Sequence, residues 1–80
     1  MKIKFNNFTD VNNFTSATRE LESGVMVKHG RYEIDGKSIM GLYTLDFSHE
    51  LEVIVHDIHD GKEIDKLTEM VKLMGIYAGE

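Results

Sequence analysis

Apolar and polar residues alternate at the start of the chain, where Ile3 and Phe5 are set among Lys2, Lys4 and Asn6. A period of two puts successive side chains on opposite faces, so this segment is expected to form a half-buried strand. The period then lengthens: Val11, Phe14, Ala17 and Leu21 recur at helical intervals, with Asp10 placed to cap the helix. Ser23-Gly24 is the expected stop, because glycine accepts the left-handed conformation at a helix end. "VMVKHGRYEI" predicts two short strands joined by a hairpin turn at His29-Gly30, and Asp35-Gly36 turns the chain again. "SIMGLYTL" is too short for a helix stable by itself but long enough for two docked turns. Leu51, Val53 and Val55 alternate with Glu52, Ile54 and His56 as a further strand. Asp60 and Glu63 have the spacing of a capping box, opening a helix with Ile64, Leu67, Met70, Val71 and Met74 on one stripe and Gly75 at its end.

The predicted order is therefore β-α-β-β-α-β-α: an α+β open-faced sandwich, with a four-stranded antiparallel sheet and the helices on one face. The longer helices are expected at roughly 10–22 and 60–74. They should bury Phe14, Leu21, Leu67, Met70, Val71 and Met74 against Ile3, Phe5, Val53 and Val55. No proline, low-complexity tract or repeat divides the chain, so residues 1–80 read as a single domain.

Composition narrows the chemistry. With 41% hydrophobic and 29% charged residues, the chain has the make-up of an ordinary globule. There is no cysteine, hence no disulfide and no thiolate metal site. The net charge of −5 and the lack of a basic stripe disfavour direct nucleic-acid binding. No apolar run approaches the roughly 18 residues of a membrane span, and "MKIKFNNF" is too polar for a secretory signal. The expectation is a cytoplasmic protein with no cofactor.

Catalytic constellations are missing from the pattern. No nucleophile-base pair, glycine-rich phosphate loop or acid/base carboxylate pair can be drawn, so no enzyme is indicated. "HDIHD" brings His56 and His59 close in sequence, but an i, i+3 pair at a strand end does not converge and no third ligand completes it. His29 and His49 fall in turns and are expected to be solvated. Ser38 precedes the greasy run "IMGLYTL" and can cap the short helix; as a surface hydroxyl it can also be a modification site. Leu42 and Leu45 supply that helix with an inward face, which leaves Ile39, Met40 and Tyr43 as a candidate partner surface. Gly41 inside the helix suggests a close approach.

The ten residues "GKSIMGLYTL" resemble the regulatory-serine segment of HPr, the small phosphocarrier of the bacterial phosphoenolpyruvate-dependent sugar phosphotransferase system. The element order is similar throughout. The resemblance implies an HPr-like sandwich, phosphorylation at Ser38, and docking of partner proteins through Ile39, Met40 and Tyr43. The partners implied are an HPr-type serine kinase and a transcriptional regulator or phosphotransferase-system protein. HPr carriers hold a phosphorylatable histidine at the start of the first helix, followed by an arginine and a proline. Here "FTDVNNFTSATR" has neither histidine nor proline; Asn13 is nearest by pattern, and Arg19 lies too far along to reach the first turn. The chain is thus similar to the histidine-less regulatory paralogues. Two other functions stay open: a carrier using a displaced His29, His49, His56 or His59, and an interaction module without phosphorylation.

Overall fold

A computed structural model describes residues 1–80. The elements are β1 (Lys2–Ile3), α1 (Phe8–Thr18), β2 (Gly24–His29), β3 (Tyr32–Asp35), α2 (Ile39–Tyr43), β4 (Leu51–His56), α3 (Lys62–Leu73) and β5 (Tyr77–Gly79). The sheet is antiparallel with strand order β3-β2-β4-β1-β5. It has five strands where four are expected from the sequence. The additional strand forms because α3 ends in a left-handed turn at Gly75 (φ 76°). The Gly75 amide bonds the Lys72 carbonyl and the Ile76 amide bonds the Val71 carbonyl, a Schellman end. Ile76 is then buried, and its carbonyl accepts from the Lys4 amide at 2.9 Å, so residues 77–79 fall along the free edge of β1. Alternation over three residues next to a glycine is too brief to read as a strand.

β1 is short but central, held between β4 and β5 and extended by Val53 N–H to the Met1 carbonyl at 2.7 Å. The β2–β3 hairpin closes as expected, with His29 opposite Tyr32 and Gly30 at φ 59°. One sheet face carries Ile3, Val25, Val27, Leu51 and Val53, all buried; the helices cover it with Val11, Phe14, Ala17, Leu42, Leu67 and Val71. Phe5 packs edge-to-face on Phe14 at 5.5 Å and on Phe47 at 5.6 Å. The expected core is largely realised, although Met70, Met74 and Val55 are only half-buried and Ile64 is exposed. α3 meets the core mainly through Leu67 and Val71, so a stripe five residues wide exceeds what the contact can cover.

Both helix starts differ from expectation. Asn7, not Asp10, caps α1: its Oδ1 accepts from the Asp10 amide at 2.9 Å, and the Asp10 carboxylate reaches back to the Asn6 amide at 2.8 Å. The helix also ends at Thr18, earlier than expected, and Leu21 enters the core from the turn that follows. At α3, Gly61 is the N-cap without a side-chain bond, and the expected box does not form. Glu63 turns outward from its own helix instead. Its carboxylate accepts from the Ser23 hydroxyl at 2.6 Å, the Ser23 amide at 2.9 Å and the Glu22 amide at 2.9 Å. This clamps the α1–β2 turn to the first turn of α3.

The Ser23 hydroxyl, the two amides and the charge of Lys37 hold the Glu63 carboxyl at about 2, against an ordinary 4.5. A carboxyl depressed in the folded state stabilises the fold fully above about 4.5, and that contribution is lost as pH falls towards 2. Glu63→Gln should therefore be less stable than the parent at neutral pH and should lose less stability between pH 4.5 and 2. Urea unfolding across that range checks it; the same acid slope in both proteins would show that the clamp is not energetically significant.

Candidate functional site

The chain is delivered to Ser38 by a tight, side-chain-locked turn. Gly36 has no room for a side chain, since a Cβ there would lie 2.5 Å from Val25 Cγ1. Its carbonyl accepts from the buried Thr18 hydroxyl at 2.8 Å, and its amide bonds the Val25 carbonyl at 2.7 Å. Asp35 Oδ1 accepts from the Lys37 amide and the Asp35 carbonyl from the Ser38 amide. Ser38 then sits extended at φ −99°, ψ 109°, with its Oγ accepting from the Gly41 amide at 3.1 Å, as an N-cap should. The cap expected from the sequence is present.

α2 is shorter than the expected two turns, at five residues. A macrodipole argument carries little weight over that length; what remains at Ser38 is local hydrogen bonding. Leu42 is the one buried residue of α2, with Leu45 half-buried beyond its end. Gly41 is explained by close approach: a Cβ would meet Ile34 Cγ2 at 2.8 Å and Ser38 Oγ at 3.1 Å.

Met40 stands out at 75% exposed. Ile39 and Tyr43 are half-buried, and Tyr43 is tied down. Its hydroxyl donates to Asn12 Oδ1 at 2.6 Å, and its ring packs edge-to-face on Phe8 at 4.8 Å. Phe8 is itself 59% exposed and meets Phe47 at 5.4 Å. The apolar surface beside Ser38 thus extends from α2 to the first turn of α1. Phe8 and Phe47 fall outside any periodic stretch, so no sequence signal assigns them to this surface.

The first turn of α1 contains no imidazole. Of its amides, that of Asp10 is capped by the Asn7 amide oxygen, and the Asp10 carboxylate, bonded to the Asn6 amide, places negative charge where a further anion would approach. Asn13 lies exposed further along the helix, and Arg19 follows its end. Arg19 Nε instead donates to the Lys37 carbonyl at 3.1 Å, next to Ser38. Lys37 Nζ donates to the Leu21 carbonyl at 2.7 Å.

The four histidines do not converge on one site. His29 and His49, expected to be solvated separately, stack at 5.3 Å, and His49 Nε2 lies 3.5 Å from Asp46. The Ser48 hydroxyl and amide, then His49 and His29, hold the Asp46 carboxyl below its ordinary value. His56 Nδ1 contacts Asp57 at 2.9 Å. None of the four occupies the first turn of a helix, and no three His, Asp or Glu side chains are grouped to hold a metal ion. No helix is long and apolar enough to cross a membrane.

No family model and no curated protein matches the chain. Among solved structures it is similar to Crh, a catabolite repression protein of Bacillus subtilis described as a domain-swapped, intertwined dimer. The two share 21% identity with a TM-score of 0.68, over 92% of this chain and 86% of Crh. This chain has the fold of Crh. The likeness bears out the expected α+β sandwich, with the strand count corrected as above.

Stability should separate the capping and surface roles. Ser38→Ala removes only the capping oxygen and should cost about 1 kcal/mol. Met40→Asp should stay within about 0.5 kcal/mol of the parent, as exposed substitutions do. Denaturant melts of the two variants check both values; gross unfolding of Met40→Asp would place that side chain in the core.

Proposed function

We propose that this protein is a non-enzymatic regulatory adaptor of the HPr type, switched by phosphorylation of Ser38 and docking through Ile39, Met40 and Tyr43. The observation that carries the reading is the placement of Ser38 at the N-cap of α2, directly beside the exposed Met40 and the aromatic surface of Tyr43 and Phe8. A phosphoryl group there adds roughly two negative charges at the border of an apolar patch. It changes what the patch can bind without requiring the helix to unfold. The fold shared with a catabolite repression protein and the "KSIMG" run support the same reading. The start of α1, without histidine and with the Asp10 carboxylate beside it, supports regulation over phosphoryl transfer.

The partners are then a serine kinase of the HPr type and a transcriptional regulator or phosphotransferase-system protein, all within the cytoplasm. An HPr-type serine kinase with ATP should label the protein stoichiometrically, and Ser38→Ala should abolish the label. Met40→Asp should weaken partner capture while leaving labelling intact. Phosphoenolpyruvate and the general phosphotransferase enzyme should give no acid-labile label. Label on any of His29, His49, His56 or His59 would instead favour a carrier with a displaced histidine, and no label in either assay would favour an interaction module.

A further inference from the structure

Arg19 meets the peptide leading into Ser38, Lys37 immediately precedes that serine, and both cations are held by weak partners. Arg19 projects from the end of α1 and spends one N–H, that of Nε, on the Lys37 carbonyl at 3.1 Å. A guanidinium has five donors, and the remainder have no partner in the fold: Arg19 enters no ion pair. Lys37 likewise pairs with no carboxylate and rests its ammonium on the Leu21 carbonyl at 2.7 Å. Of the nine Lys and Arg, these two are the ones whose side chains hydrogen-bond backbone carbonyls. A carbonyl carries no net charge. A phosphoryl dianion is a far stronger partner for both groups and matches the guanidinium fork.

We propose that Arg19 and Lys37 form an intramolecular receiver for a phosphoryl group on Ser38, exchanging their carbonyl contacts for the phosphate and so linking the switch to the α1–β2 turn. The proposal rests on the reading of Ser38 as the phosphorylated residue. The receiver consists of two side chains from outside α2, since a five-residue helix offers no anion site of its own. Its consequence follows from what Lys37 leaves behind. The Leu21 carbonyl loses its donor, and Glu63, whose carboxylate gains from the Lys37 charge, loses that support. The clamp on Glu22 and Ser23 is the adjoining contact. Modification at α2 is thereby felt at the junction of α1, β2 and α3, on the far side of the Gly36 turn.

The test needs no kinase. A chain of 80 residues is within reach of chemical ligation, so phosphoserine can be placed at position 38 directly. Phosphorus NMR should give a second phosphate pKa lower in the folded protein than in a phosphopeptide spanning residues 35–45, by roughly half a unit or more. Arg19→Gln and Lys37→Gln should each return part of that shift, while Arg19→Lys, which keeps the charge, should preserve most of its share. The Glu22 and Ser23 amide resonances should move on phosphorylation in the parent and not in Lys37→Gln. A phosphate pKa equal in parent and Gln variants, with those variants folded by amide spectra, would overturn the receiver. Because the phosphate is installed synthetically, failure of a kinase to label Ser38 would count against the functional reading alone.

Discussion

A helix of five residues cannot sustain itself in water, because nucleation fixes several dihedrals for each hydrogen bond gained. The candidate switch therefore exists only because other elements hold α2 in place. Burial of Leu42 supplies the apolar anchor, and the flanking Ser38 and Thr44 hydroxyls bond the amide and the carbonyl of Gly41 at the middle of α2. The Thr18 hydroxyl bonds the Gly36 carbonyl, and Tyr43 bonds Asn12, so α1 grips both the approach to α2 and its last turn. Ser38, Ile39, Met40 and Tyr43 all take their positions from this docking.

The same economy explains why polar groups sit so deep in a small domain. Thr15, Thr18 and Ser23 are buried, and each bonds a carbonyl or carboxylate; no buried side-chain polar atom is left without a partner. These bonds fix turns that an 80-residue core could not fix by apolar burial alone. Glu63 does for the α1–β2 turn what Thr18 does for the β3–α2 turn: a side chain on one element satisfies backbone groups, or lone pairs, on another.

In the proposed function, docking and signalling draw on shared contacts. The residue preceding Ser38, Lys37, is bonded to the turn that Glu63 clamps, and its carbonyl holds Arg19. The proposed phosphoryl group at Ser38 would act on contacts that join α1, α2 and α3. The apolar surface next to it, from Met40 through Tyr43 to Phe8 and Phe47, is tied to the same helix.

Local pattern determined most of the element order. Alternation marked β4, the hairpin glycine marked β2 and β3, and helical spacing marked α1 and α3, because one buried face imposes its period on the chain. It also marked Ser38 as a cap and Met40 as exposed. Features requiring two distant segments were not legible. β5 depends on the free edge of β1, which no local pattern around residues 77–79 reveals. Glu63 has the spacing of a capping box, yet two amides and a hydroxyl some 40 residues away in the chain offer more hydrogen bonds than its own helix start. Asn7 took the capping role expected of Asp10 because a cap is decided by where the backbone turns extended, and the polar run "NNFTD" permits several such points. The pairing of Tyr43 with Asn12 and Phe8, and of Arg19 with Lys37, was likewise decided only when α1 packed on α2: tertiary packing selects one partner from many that the sequence allows.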